Sequence, residues 1–420
     1  MTALSVFREV NGAYERVGRI GSSAEGFTFA YDSDYLVHPS ARAISRALPL
    51  QDDAFTEVQT AVFFDGLLPE GRFRQTLNAV THSEGRFANL LAKLNNESTG
   101  ALVFLAEGEE LPQETYVPLS FAELQAFAAE PHAQALVQSM ASRLSLAGAQ
   151  MKLGLYHEGT DWASGWFRPE GSAPSNCIVK AVDGTFPGQT VNEALCLLTA
   201  RNLGFEAAEA TLINAEAREP LLAVKRFDRA PGAGMRPMRR HQEDFCQALG
   251  LPSFAKYEPT DGHYLSAIAN CILHESSNPF GDRAVLFRSI ILDWLLGNCD
   301  NHLKNRSLLY SSDWSTCELS PLYDLTCTTI YSWVDREMGV SLCPSRRIDK
   351  VTADDLEACA KVVGVPMKLA CGLRAELADG ILAALEKAER DIVEQGFPQV
   401  AEVANHIEAD VRKRLSLLRG

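Results

Sequence analysis

The sequence predicts an α+β chain with two lobes, an α/β half followed by an α-rich half. Three observations carry this expectation. Up to about residue 229, short strand-like runs alternate with Gly- and Asn-containing turns. From His241 onward, apolar residues recur mostly at helical spacing. One hairpin, over 307–322, interrupts that helical half. Such asymmetry suits a bilobal enzyme with a cleft between unequal lobes.

Strands are expected over 7–9, 17–20 and 27–31, broken by Asn11-Gly12 and Gly21-Ser22-Ser23. Helices follow over 56–64 and 85–94. This unit closes at Glu107-Gly108-Glu109-Glu110, and a linker rich in Pro, Thr and Gln comes next. Residues 145–229 read as strands around one strong helix over 190–202, with Gly204 as its C-cap. Cys177-Ile-Val-Lys180 and Leu221-Leu-Ala-Val-Lys225 are the clearest of these strands. Residues 373–395 place Glu and Lys between apolar residues at helical spacing, an amphipathic helix. The expected boundaries are 1–108, 109–229 and 230–420.

Composition narrows the function. The 420 residues carry a formal net charge of -15, against a chain that grips DNA by itself, because phosphate neutralisation needs surplus Lys and Arg. The N-terminus lacks the basic-then-apolar pattern of a signal peptide. The most apolar stretch, 284–297, contains Arg288 and Asp293 and is too short to span a bilayer. None of the ten cysteines forms a CxxC pair, and those at 177, 196, 246 and 299 sit in apolar contexts. They read as core residues in a reducing cytoplasm. A cytoplasmic enzyme without membrane attachment is expected.

The sharpest chemical signal is Gly297-Asn-Cys-Asp300-Asn-His302-Leu-Lys304-Asn305, fed by a helix carrying Phe287, Ile290, Ile291, Trp294 and Leu295. The hairpin follows, and then Pro321-Leu-Tyr-Asp324-Leu-Thr326. Asn305 thus lies at the hairpin's entrance and Asp324 just beyond its exit, so the two can meet in space. Phosphoryl transfer asks for this set. One carboxylate orients the attacking hydroxyl and accepts its proton, while an Asn and a second carboxylate hold magnesium. Asp followed five positions later by Asn is the spacing of the protein-kinase catalytic loop. By itself the loop reads equally as a helix cap; the hairpin and Asp324 favour chemistry.

Lys180 ends an apolar strand, from which a lysine can reach nucleotide phosphates or simply snorkel. Glu193 has two open readings. It could hold Lys180 in position, or it could close a capping box, Thr190-Val-Asn-Glu193. In Arg143-Leu-Ser145-Leu-Ala-Gly148-Ala149-Gln150-Met-Lys152, small residues let backbone amides approach phosphates, though a tight turn explains the same residues. Ser145 is a candidate phosphorylation site. The strand ending Lys225-Arg-Phe227-Asp228-Arg229 enters the helical half where a hinge could meet an adenine edge; otherwise it is a core strand.

Taken together, the segments resemble the HipA family of serine/threonine protein kinases, toxins of bacterial toxin–antitoxin pairs. The matching pieces are Ser145-x-x-Gly148-x-Gln150-x-Lys152, Ile178-Val-Lys180, Asn192-Glu193, Val224-Lys-Arg-Phe227-Asp228-Arg229, Gln242-Glu-Asp244-x-Cys246-Gln247, Asp300-x-His302-x-Lys304-Asn305 and Pro321-Leu-Tyr-Asp324-Leu. Leu48-Pro-Leu50 and Phe63-Phe-Asp65-Gly-Leu-Leu-Pro69-Glu70 resemble the family's N-terminal accessory subdomain.

The resemblance implies a protein-kinase-like bilobal fold with an accessory subdomain at 1–108, a kinase N-lobe at 109–229 and an all-helical C-lobe at 230–420. It implies ATP and Mg2+ as cofactors. Asp300 would be the catalytic base, with Asn305 and Asp324 as metal ligands. Lys180, Gly148, Ala149, Gln150, Lys152, Lys225, Phe227, Asp228, His302 and Lys304 would bind nucleotide. Autophosphorylation of Ser145 would switch the kinase off. The implied partners are a HipB-like helix-turn-helix antitoxin, through which DNA is reached, and a protein substrate; some family members phosphorylate aminoacyl-tRNA synthetases. Asn301, where some members have Gly, and Lys225, where some have Glu, depart from the pattern and loosen the transfer of substrate identity. Two alternatives stand beside this: a small-molecule or lipid kinase, and a degenerate kinase serving as corepressor scaffold. Retention of Lys180, Asp300, Asn305 and Asp324 favours catalysis over the scaffold.

Overall fold

A computed structural model describes residues 3–418 apart from 24–25, 84, 95–96, 143–145, 148–149, 183, 217–218 and 343. The chain forms two compact units, and neither is continuous in sequence. The first is 1–185, 213–253 and 309–316; the second is 186–212, 254–308 and 317–420. The linear division at 108 and 229 thus gives way to interleaved segments.

In the first unit, an antiparallel sheet runs in the order Gly26–Tyr31, Ala13–Ser23, Leu4–Val10, Leu102–Ala106. Gly26–Tyr31 buries every second residue, the period of a strand with one face on a core. Phe29, Phe55, Phe63, Phe64 and Phe104 fill that core. The expected helices are Glu57–Asp65 and Phe87–Lys93; Gly71–Thr81 is a third that periodicity did not suggest. The stretch expected to be a linker is ordered. It holds the strand Thr115–Leu119 and the helices Phe121–Ala129 and Pro131–Ser142. The first of these helices starts from a capping box between Ser120 and Glu123. A second sheet contains, in order, Thr115–Leu119, Trp166–Glu170, Lys152–His157, Cys177–Lys180 and Leu221–Lys225.

The second unit is built on the helices Gln189–Asn202, Tyr264–Glu275, Pro279–Leu296, Ala353–Val363, Met367–Glu394 and Val400–Leu417. Its C-terminal part is not all helix. Glu337–Leu342 pairs antiparallel with Ser345–Arg347. The expected hairpin strands form as Ser307–Tyr310 and Cys317–Leu319, the first divided between the two units after Leu308. Gln189–Asn202 starts one residue earlier than its sequence suggests. Its N-cap is Gly188, in left-handed backbone and without a side-chain cap, so Thr190 lies inside the helix and the capping-box reading of Glu193 falls. Gly204 takes φ +78 just past the cap residue Leu203, as expected of a helix stop. Among the described residues no helix is long and apolar enough to cross a membrane.

Candidate active site

The residues of the candidate catalytic loop are placed by the buried helix Pro279–Leu296, whose Ile290, Ile291, Trp294 and Leu295 are inaccessible. Gly297 ends it at φ +81, where an added Cβ would lie 2.1 Å from Thr329 Oγ1. Asn298 Nδ2 donates to Asp293 Oδ1 at 2.8 Å, and Arg306 pairs with the other oxygen of Asp293. The loop is therefore stapled to its own helix at both ends.

Asp300 sits between these staples with its side chain 45% exposed. Its backbone N–H donates to Asn298 Oδ1 at 3.0 Å, and its carbonyl accepts from Asn305 Nδ2 at 2.7 Å. That second bond commits the amide nitrogen of Asn305 and leaves Oδ1 as its available ligand atom. The Tyr257 hydroxyl donates to Asp300 Oδ1 at 2.6 Å, and His302 Nε2 lies 3.8 Å from the same oxygen. Lys304 is buried, and its carbonyl accepts from the Tyr323 hydroxyl at 2.8 Å. Burial raises the neighbouring Cys299 thiol to about 11, so it is not a ready nucleophile.

Asp324 follows directly on Tyr323, whose hydroxyl also shares a hydrogen bond with Ser307 Oγ at 2.6 Å. The residue before Asp324 is thereby fastened to the residue before Asn305. Asp324 itself has φ +50, a left-handed conformation that Asp tolerates better than most residues. Beyond it, the Asn192 side chain brackets Cys327, donating to its carbonyl and accepting from its N–H, both at 2.9 Å. The Asn192-Glu193 pair quoted from the sequence thus supplies, through Asn192, an anchor for the segment carrying Asp324. Glu193 is buried on the same helix.

In the first unit, Lys180 is 4% exposed at the end of Cys177–Lys180 and stands opposite Lys152 on one neighbouring strand and Leu222 on the other. Lys152 Nζ donates to the Ala147 carbonyl at 2.6 Å. Gln150 has a buried side-chain nitrogen without a hydrogen-bond partner among the described residues. Ser145, Gly148 and Ala149 lie outside the described residues. Lys225 is exposed, and Phe227 is half-buried.

Asp228 is placed differently from a nucleotide contact. It is 2% exposed, paired with Arg226 and Arg229, and accepts from the Gly100 N–H at 2.8 Å and Gln242 Nε2 at 3.0 Å. With Glu97, Arg239 and Glu9 it forms a buried ion cluster, which makes its role structural. Burial by itself would raise these carboxyls. The guanidinium groups outweigh it, holding Glu97 at about 2 and Asp228 well below the usual carboxylate range.

The donor set can be tested against a metal. Among the described residues no three His, Cys, Asp or Glu converge as a closed metal site would require. Asn305 Oδ1 and the Asp324 carboxylate are hard oxygen ligands, and magnesium takes few protein ligands, completing its shell with water and phosphate. The pair therefore fits a nucleotide-bound magnesium.

Two family models match the chain: HipA-like C-terminal domain over residues 144–392 and HipA N-terminal domain over 9–105. The Y4mE protein of Sinorhizobium fredii is 31% identical over 93% of this chain and 93% of its own length. The serine/threonine-protein kinase toxin HipA of Shewanella oneidensis is 27% identical over 88% of this chain and 86% of its own. Among solved structures, HipA from the Shewanella oneidensis complex of HipA, HipB and operator DNA superposes with TM-score 0.80 at 24% identity. That match covers 98% of this chain and 97% of the other, and it establishes a shared fold.

Proposed function

The chain belongs to the HipA family, and from that premise we propose that it is an ATP- and magnesium-dependent serine/threonine protein kinase, the toxin of a cytoplasmic toxin–antitoxin module. The observation that carries the proposal is the stapled constellation of Asp300, Asn305 and Asp324. The base is held at its backbone by the Asn305 amide, and Tyr323 fastens the Asp324 segment to the same loop. Asp300 orients the acceptor hydroxyl and takes its proton. Asn305 Oδ1 and the Asp324 carboxylate would hold magnesium, whose positive charge would offset that of the nucleotide phosphates. Lys180 and Lys152 would bind phosphate oxygens, the backbone near Lys225 and Phe227 would meet adenine, and the segment carrying Ser145, which lies outside the described residues, would cover the phosphates. Phosphorylation of Ser145 would add up to about two negative charges beside that phosphate site, disfavouring the nucleotide-bound loop.

A HipB-like antitoxin is the proposed partner, because the Shewanella relative is solved with HipB and operator DNA. A net charge of -15 leaves DNA contact to that partner. The acceptor is a cytoplasmic protein, and aminoacyl-tRNA synthetases are the class to try first. Retention of all four reacting residues supports transfer chemistry over a scaffold.

Intact mass of phosphatase-treated protein, with and without ATP and magnesium, tests the reading. The expected result is one added phosphoryl group at Ser145, absent in Asp300→Asn. Transfer undiminished in purified Asp300→Asn would overturn Asp300 as the base.

A further inference from the structure

We propose that Tyr257 is a positioning residue for the catalytic carboxylate, locking Asp300 through Oδ1 so that Oδ2 is the oxygen presented to the acceptor hydroxyl. The inference rests on the kinase reading above and deepens it. Three observations carry it.

The first is the contact itself. The Tyr257 hydroxyl donates to Asp300 Oδ1 at 2.6 Å, and the His302 ring nitrogen lies on the same oxygen at 3.8 Å. Both neighbours converge on one side of the carboxylate. A half-exposed carboxylate otherwise turns freely about its last torsion, which is broad and roughly two-fold. A charge-assisted hydrogen bond to one oxygen selects one orientation and assigns the two oxygens different work.

The second is that Tyr257 is a built position. The residues flanking it are tied to the catalytic framework. The Lys256 carbonyl accepts from the Leu303 N–H at 3.1 Å, inside the catalytic loop, and the Glu258 N–H donates to the Gly339 carbonyl at 2.8 Å. The Glu258 carboxylate, itself buried, accepts from the backbone N–H groups of Tyr264 and Ser341 at 2.8 and 2.6 Å. The Tyr264 hydroxyl donates to the Ala255 carbonyl at 2.7 Å. The main chain on either side of Tyr257 is therefore fixed.

The third is ring placement. Tyr257 meets His302 edge to face at 5.1 Å and 87°. His302 is held by Gly339, whose missing side chain leaves room for it: a Cβ there would stand 2.7 Å from His302 N. The phenol is thus aimed at Asp300 by a ring contact that a phenylalanine would keep.

The test separates hydroxyl from ring, and positioning from folding. Initial ADP release is measured with ATP and magnesium, counting transfer both to protein and to water, for wild type, Tyr257→Phe and Tyr257→Leu. Tyr257→Phe should lower kcat about tenfold, the worth of one hydrogen bond to a charged group, with KM for ATP and the thermal midpoint unchanged. Tyr257→Leu should fall at least as far. Undiminished kcat in Tyr257→Phe overturns the proposal, as does a loss confined to KM or accompanied by a lowered thermal midpoint. A wild-type chain that releases no ADP takes down the kinase reading and this one with it. An active wild type with an unchanged Tyr257→Phe removes this one alone.

Discussion

Asp324 combines a left-handed backbone with the role proposed for a magnesium ligand, and the two make different demands. Asp324→Asn keeps the backbone preference and removes only the charge. ATP turnover should drop by about two orders of magnitude with the thermal midpoint intact, because a pre-set electrostatic contact is lost without a packing change. Asp324→Val should instead lower the midpoint, since a β-branched residue resists φ +50. At this scale the placement of the candidate residues was largely legible. Asp300, Asn305 and Asp324 follow from spacing, since a short loop and a two-stranded hairpin leave few ways to arrange them. Tyr257 was not legible: it stands 43 positions before its partner, in a segment without periodicity. The opposite error occurred at Asp228, where motif position suggested a ligand contact. Burial among arginines, which no local spacing announces, makes it structural.

The loop is held by its neighbours as elements. Gly339 N–H donates to the Cys299 carbonyl, and Asn301 brackets Val340, accepting from its N–H at 3.1 Å and donating to its carbonyl at 3.2 Å. The strand Glu337–Leu342 is thus a rail along which the candidate catalytic loop lies. Gly339→Ala would bring a Cβ within 2.7–2.9 Å of three His302 atoms, two of them backbone, so the loop must shift. Activity should fall although no reacting group changes, because small misplacements are costly in positioning catalysis. Nucleotide binding by calorimetry and ADP release together would show this as a loss in kcat. The sequence did not suggest this strand, because a six-residue run in a helical region carries too little pattern to stand out. Hairpin and helix ends were legible where chemistry dictates them, as at Gly297 and Gly204. The capping box at Thr190 matched in text only, because the helix begins before it.

Across the whole chain, the most sensitive points for stability are buried charges, because removing one partner strands the other. Arg239 pairs with Glu9 and Glu97 and is fully buried, as are both carboxylates. Arg239→Ala would leave two buried carboxylates short of a partner and should cost about 3–5 kcal/mol in denaturant unfolding. Acid should act in two stages. Burial holds His241, whose Nε2 donates to the Ile44 carbonyl at 2.8 Å, down to about 3. The unfolded chain takes up that proton near 6.5, so stability is full above that pH and declines by up to about tenfold in the folding constant per pH unit below it. Glu97, held at about 2, adds a second loss as pH falls below its ordinary 4.5. Denaturant unfolding followed by tryptophan fluorescence as a function of pH measures the first stage, and His241→Phe should remove it.

The periodic and short-range features were readable along the chain: the α+β order, the long amphipathic helix, the strands ending in Lys180 and Lys225, and the spacing of Asp300, Asn305 and Asp324 about the hairpin. Those depend on neighbours a few positions apart, where backbone geometry is nearly obligatory. Only the tertiary structure decided the interleaving of two units, the ion cluster joining positions 9, 97, 228 and 239, and the hydroxyl on Asp300. Each of these depends on desolvation and on contacts between distant segments. A charged residue's surroundings are set by which remote groups share its burial, and a linear pattern does not encode that.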